Sequence, residues 1–170
     1  PHNKPAGCNY ADSNIMVRKN FYVTASNAGV LHVLNQDGQE VMGYIPSTAL
    51  PKLYSLSLPV PSHAQPTHQY LNDGTPVTDE VCFGATAKSI VVGTAGRGGA
   101  SVYALDVTDL NNPGAHNVMW EFSNADDPNL GLTVGKPSIA KDKDGNPIVI
   151  FSSGVNSGSS NGYLYILRAD

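Results

Sequence analysis

Ile90-Val91-Val92-Gly93-Thr94, followed after a short gap by Gly99-Ala100-Ser101-Val102-Tyr103-Ala104-Leu105-Asp106, decides the fold class. An apolar β-branched run, a glycine-bearing turn and a second run reading apolar, ring, apolar, Leu is the pattern of two antiparallel strands. The pattern recurs on both sides. Upstream stand Phe21-Tyr22-Val23-Thr24-Ala25 and Gly29-Val30-Leu31-His32-Val33-Leu34-Asn35; downstream stand Ile148-Val149-Ile150-Phe151-Ser152 and Gly162-Tyr163-Leu164-Tyr165-Ile166-Leu167. The equivalent leucines Leu34, Leu105 and Leu167 lie 71 and 62 residues apart.

Two copies continue alike. Asp37-Gly38 leads to Val41-Met42-Gly43-Tyr44, and Asn112-Pro113-Gly114 leads to Val118-Met119-Trp120-Glu121. Both are turns followed by a strand with an aromatic near its end, because Gly accepts positive φ and Pro pre-sets its own. The unit is thus at least three antiparallel strands. Radial repetition of such units is a β-propeller, an architecture that leaves few open edges. The repeat exceeds the ~40–50 residues of common blades, so long inserts are expected at 46–80 and 123–135. The fold class is all-β, about three blades of a modified propeller over residues 20–170, with a β-sandwich as the alternative. The third copy stops at Asp170 before its Val-Met-aromatic strand. A longer parent chain or a second chain is expected to complete it. Residues 1–19 form an N-terminal segment of unassigned role.

Composition agrees. The 170 residues include 17 Gly and 12 Pro, with only 14% charged. Neutral turn formers build the polar surface, which argues against long solvated helices. The net charge of −4 and the scattered ten basic residues exclude the basic stripe of a nucleic-acid binder. No apolar run reaches the length of a membrane span. Pro1-His2-Asn3-Lys4 has no apolar leader core, as expected of a mature or excised piece.

One short helix is expected near 47–57. Ser47 is its candidate N-cap, Leu50, Leu53 and Leu56 recur at helical spacing, and Pro59, Pro61 and Pro66 follow. Leu53, Tyr54, Leu56, Leu58 and Val60 are more apolar than a solvated loop needs. Leu53, Tyr54, Leu56, His68 and Arg97 are the candidate partner surface, because loops on a rigid β scaffold commonly carry recognition, with packing of the apolar residues over the blade edge as the alternative. Cys8 and Cys82 are too far apart for a CxxC motif. A long-range disulfide suits the secreted look of the chain, with two buried free thiols as the alternative.

Chemistry is sparse. Gly96-Arg97-Gly98-Gly99 lacks the Lys-Ser/Thr of a phosphate loop and precedes a strand, so it reads as a turn. His32 takes the place of Tyr103 and Tyr165, which marks a packing position. His68 is expected to bond Asp73 or a turn carbonyl. Asp106/Asp109 and Asp126-Asp127 sit in turns, and no nucleophile, base and orienter stand at motif spacing. No catalysis is expected.

In order, Gly29-Val30-Leu31-His32-Val33-Leu34, Tyr44-Ile45-Pro46-Ser47, Leu50-Pro51-Lys52-Leu53, His68-Gln69-Tyr70, Asp73-Gly74-Thr75-Pro76, Gly96-Arg97-Gly98-Gly99, Tyr103-Ala104-Leu105-Asp106-Val107-Thr108-Asp109 and Trp120-Glu121-Phe122 resemble the C-terminal β-propeller of PilC/PilY-type proteins of bacterial type IV pili. The likeness covers roughly residues 20–168. It implies an extracellular location at the pilus tip, pilus assembly with minor pilins, adhesion to host or abiotic surfaces, and contact with the remaining blades of a parent chain. It requires no cofactor, although calcium is possible through a DxDxDG-type loop. Asp142, Asp144 and Asn146 are the nearest match. Ala140 replaces the first acid and no closing Glu follows, and the same residues suit a plain hairpin turn. A quinoprotein-type propeller dehydrogenase holding pyrroloquinoline quinone, or a generic carbohydrate- or protein-binding propeller, is the alternative; one Trp and no adjacent cysteines speak against the quinoprotein.

Overall fold

The computed structural model describes residue 8 and residues 20–59, 68–111, 113–114 and 117–170. Val60, His63 and the rest of the 1–19 segment therefore lie outside the described residues. Among the described residues, ten strands form three antiparallel sheets. Sheet one is β1 (Phe21–Ala25), β2 (Leu31–Asn35) and β3 (Glu40–Tyr44). Sheet two is β4 (Val77–Phe83), β5 (Thr86–Thr94), β6 (Ser101–Asp106) and β7 (Val118–Ser123), and sheet three is β8 (Ser138–Lys141), β9 (Pro147–Ser152) and β10 (Leu164–Arg168). No sheet closes on itself, and the three are part of a β-propeller. The repeat extends to irregularity: register shifts fall between Val33 and Leu34 in sheet one and between Ala104 and Leu105 in sheet two, at equivalent positions.

Strand periodicity explains the two cores. Alternate side chains point to opposite faces. From sheet two, Val91, Tyr103 and Leu105 pack against Leu31, Val33, Phe21 and Val23 of sheet one. The alternate set, Ile90, Val92, Val102 and Ala104, packs against Val149, Phe151, Tyr165 and Leu167 of sheet three. Sheet two is covered on both sides. The strands of β1 and β10 alternate between covered and open positions.

Three expectations are corrected. The first insert ends at Pro76 rather than 80, because Val77–Phe83 pair with β5 as a fourth strand. Asp79 sits in the middle of that strand on the solvent side and disguises it. The helix α1 spans Leu50–Ser57 with Ala49 as its N-cap and no side-chain cap. Ser47 instead gives its backbone N–H to the Glu121 carboxylate at 2.9 Å. The helix stops at Leu58, which is extended (ψ 138°), because a residue before proline is pushed out of the helical region.

Glu121 ties the insert to sheet two. Besides Ser47 it accepts the Tyr44 hydroxyl, and Tyr44 lies 5.0 Å from the Tyr103 ring. Burial and the Glu121 carboxylate push the Tyr44 hydroxyl far above the ordinary phenol range. Glu121→Ala leaves both donors without this acceptor and should destabilise the fold by roughly 1–3 kcal/mol. Equilibrium urea unfolding measures it, and a loss under about 0.5 kcal/mol, the range of ordinary surface changes, counts against the tie.

The second insert is also structural. Leu130 is buried in the core between sheets two and three. Thr133 donates its hydroxyl to the Ser101 carbonyl at 2.9 Å, and Leu132 bridges Val155. Trp120 Nε1 donates to the Ala169 carbonyl at 3.2 Å across the same junction. In the structure Cys8 is bonded to Cys82 of β4, with Cα atoms 5.6 Å apart.

Candidate functional site

One end of sheets one and two is built from four pieces: the turn 26–29, α1, residues 68–74 and the 3-10 turn Gly96–Gly98. The glycine run is a saddle for the insert. A Cβ at Gly98 would lie 2.1 Å from the Leu71 carbonyl oxygen, and one at Gly96 would lie 2.2 Å from Asp73 Oδ1. Gly96 also has φ +61°, a conformation that side chains disfavour. The backbone N–H of Arg97 donates to Asp73 Oδ1 at 2.7 Å, and Lys52 Nζ donates to the Gly98 carbonyl. Beneath them Asn72 is fully buried and exchanges hydrogen bonds with the Tyr103 hydroxyl at 3.1 and 3.3 Å. Burial drives that hydroxyl far above the ordinary phenol range. A Gly-rich turn, an Asp and an Asn thus hold residues 68–74 on the scaffold.

The exposed layer is aromatic and cationic. The His68 and Tyr70 rings meet edge-on at 4.6 Å, and the Arg97 guanidinium lies over Tyr70 at 5.4 Å. His68 is paired differently from expectation: its Nε2 accepts from Asn27 Nδ2 at 2.8 Å, because the short turn 26–29 reaches it while Asp73 is spent on Arg97. Leu53 parts company with its neighbours. Its Cδ2 comes within 3.3 Å of where a Cβ at Gly29 would stand, so it faces the scaffold. Tyr54 and Leu56 are 71% and 52% exposed and, with Leu50 and Leu58, form an open apolar face.

His32 lies apart from His68, on the outer face of sheet one. Its Nδ1 pairs with Glu40 Oε2 at 2.9 Å, and its Nε2 is 3.0 Å from Ser26 Oγ. The order hydroxyl, imidazole, carboxylate is that of a nucleophilic relay. Its repeat position gives it another meaning. In all three sheets the ring at this position hands its polar tip to a partner: Tyr103 to Asn72, and Tyr165 to Asp127 at 3.1 Å. Burial, then Asp127, pushes the Tyr165 hydroxyl up to about 12. The Ser26 hydroxyl also donates to the Val30 carbonyl at 3.2 Å, which holds it within its turn. Ser26–His32–Glu40 is sheet one's version of a satisfied ring. Neither Ser26 nor Glu40 carries a sequence signal, since only the hairpin register brings them beside His32.

Asp142, Asp144 and Asn146 form the β8–β9 hairpin turn. Asp142 Oδ1 accepts from the backbone N–H groups of Asp144 and Asn146 at 2.9 and 2.8 Å, and Oδ2 accepts from Asn146 Nδ2 at 2.9 Å. Those hydrogen bonds, the Asn146 side chain first, hold the Asp142 carboxyl below its usual range. Lys143 Nζ covers the Asp144 carboxylate at 2.9 Å. Calcium needs converging free oxygens; here they are turned into the loop or onto a lysine, so the residues as placed do not fit the ion.

A family model described as the PilY1 beta-propeller domain matches residues 3–168. This chain belongs to the PilY1 β-propeller family. A type IV pilus biogenesis factor PilY1 homolog of Xylella fastidiosa is 32% identical over 158 residues, 93% of this chain and 10% of the relative. The type IV pilus biogenesis factor PilY1 of Pseudomonas aeruginosa is 33% identical over 146 residues, 86% of this chain and 12% of the relative. The crystal structure of the Pseudomonas aeruginosa PilY1 C-terminal domain superposes with a TM-score of 0.70 at 28% identity, covering 89% of this chain and 28% of that one. The chain therefore spans about a tenth of the length of these full-length PilY1 relatives.

Proposed function

We propose that this chain is a non-enzymatic scaffold of a type IV pilus tip protein, acting outside the bacterial cell in pilus assembly and surface adhesion. Membership of the PilY1 β-propeller family carries the reading. The relatives' names supply the pilus context, and no helix among the described residues is long and apolar enough to cross a membrane. The partners are minor pilins and, in adhesion, a host or abiotic surface. Further blades, from a parent chain or from a second chain, complete the propeller. The contact runs through the insert rather than the blades. Tyr54, Leu56, Tyr70 and Arg97 are exposed on a framework locked from below by Asn72, Asp73 and Glu121, and aromatic and Arg side chains are the usual anchors of interfaces. No cofactor is required.

Tyr54→Asp with Leu56→Asp should weaken capture of purified minor pilins by about thirtyfold or more, which corresponds to roughly 2 kcal/mol. The melting temperature should stay unchanged, because both side chains are open to solvent. Leu53→Asp is the contrasting variant: it should lower the melting temperature, since Leu53 sits against Gly29 and Leu71. Full binding by the double variant would remove the insert from the partner surface.

A further inference from the structure

Four glycines in the chain directly follow an Asp or Asn: Asp37-Gly38, Asp73-Gly74, Asp144-Gly145 and Asn161-Gly162. Such a pair can react with itself. The glycine nitrogen can attack the side-chain carbonyl carbon of the residue before it, because no Cβ crowds the approach and the backbone turns freely there. A folded chain opposes the attack in two ways. It holds the glycine N–H in a hydrogen bond, or it fixes the backbone by packing.

The fold closes three of the four pairs. The Gly38 N–H donates to the Asn35 carbonyl at 3.0 Å, and the Gly145 N–H donates to the Asp142 carbonyl at 3.1 Å. Gly74 is buried so closely that a Cβ there would lie 2.1 Å from the Thr94 carbonyl oxygen. Its partner Asp73 accepts the Arg97 N–H. All three also carry ionised carboxylates, which are poor electrophiles. The fourth pair differs on each count. Asn161 carries a neutral amide, and both residues are exposed in the loop between β9 and β10. A Cβ at Gly162 would meet nothing within 4 Å, and among the described residues no group accepts the Gly162 N–H. The Asn161 side chain meets the Tyr163 hydroxyl, on a ring that is itself at the surface. The ends of the loop are fixed. The Ser153 N–H donates to the Tyr163 carbonyl at 2.8 Å, and the Tyr163 N–H donates to Ser153 Oγ at 3.0 Å. The open pair thus sits at a small, polar loop tip, where chain chemistry concentrates.

We propose that Asn161 is a modification site at which the chain deamidates itself. The Gly162 nitrogen attacks Asn161 Cγ. The new N–Cγ bond closes a succinimide, the Cγ–Nδ2 bond breaks, and ammonia leaves with the proton that Gly162 gave up. Water then opens the ring at either carbonyl, which yields Asp or isoaspartate. One water is consumed for each ammonia released, with no oxidant or reductant. The product adds a negative charge at the end of the sheets that carries the inserts. There Leu132 of the second insert donates to the Val155 carbonyl of this loop at 2.7 Å, and Thr133 donates to the Gly99 carbonyl of the equivalent turn in sheet two at 3.3 Å. The inference uses no open sheet face and is independent of the pilus reading.

The test holds the full 170-residue chain, folded, at mildly alkaline pH and body temperature for days. Peptide mass mapping should show the Asn161 peptide exchanging its amide for an acid ahead of every other asparagine peptide, and splitting into Asp and isoaspartate forms. Ion exchange should show a more acidic species growing in the wild type and not in Asn161→Gln. Gly162→Ala should slow the conversion about tenfold or more, a barrier difference of about 1.4 kcal/mol. Thermal melting reports whether that variant is folded; if it is not, the isoaspartate product itself marks the ring intermediate. Another asparagine converting first overturns the proposal. So does an Asn161 that stays intact in the folded chain and converts only in urea, because the loop then holds it out of reach. Conversion to Asp alone, at a rate that Gly162→Ala leaves unchanged, means direct hydrolysis and also overturns it.

Discussion

Tyr103→Ala should lower the unfolding free energy by about 3–5 kcal/mol, the usual range for truncating a large buried aromatic. Tyr103 is fully buried, and three separate parts of the chain depend on it. Its ring packs in the core between sheets one and two. Its edge fills the space above Gly93, where an added Cβ would lie 2.3 Å from the ring. Its hydroxyl is the partner of buried Asn72, 31 residues earlier, in the insert. Truncation therefore opens a cavity and strands a buried amide in one step. Tyr103→Phe separates the two effects. It keeps the ring and removes the hydroxyl, so it should cost about 1–3 kcal/mol from the unsatisfied Asn72 alone. Urea unfolding followed by fluorescence measures both. If Phe proves as damaging as Ala, the hydroxyl rather than the packing dominates; if Phe is neutral, the Asn72 bond contributes nothing net.

Replacing Cys8 and Cys82 together by Ser should cost about 2–5 kcal/mol. The two cysteines are 74 residues apart. For a loop of that size the chain-entropy estimate is roughly 4 kcal/mol, from lost freedom in the unfolded state. Cys82 lies in β4, which is the outer strand of sheet two and follows the long insert. The crosslink anchors residue 8 to this outer strand. Non-reducing denatured samples should show no free thiol, and reduction should lower the melting temperature of the wild type to that of the double variant. Two titratable thiols in the untreated protein would contradict the pairing. An unchanged melting temperature on reduction would mean that the linkage holds nothing that the sheet does not.

Strand identity was legible because it depends on neighbours along the chain. The run Ile90-Val91-Val92 and the apolar–ring–apolar–Leu of Val102 to Leu105, repeated at Leu164 to Leu167, mark strands whichever of their faces are covered. Turn positions were legible for the same reason, since Gly38 and Gly145 answer to local φ. The short helix was legible in its leucines, but its start was not. Ser47 has the chemistry of a cap, and only the approach of Glu121, 74 residues later, gives its N–H another acceptor. β4 was hidden because its exposed polar residues mask a strand whose definition is its pairing with β5.

The candidate site divides in the same way. Arg97 and His68 stood out by residue type, yet their partners Tyr70 and Asn27 are set by where the insert crosses the turns of two different sheets. Leu53, Tyr54 and Leu56 look equivalent in sequence, because each is a bulky apolar residue in one helix. The packed surface at Gly29 and Leu71 decides that Leu53 is covered and that Tyr54 and Leu56 are not. Sequence alone determined the repeated hairpins, since hydrophobic period and turn chemistry act over a few residues. Tertiary structure alone decided which apolar faces are buried, because burial of a sheet face is a property of what packs on it and not of the strand that bears it.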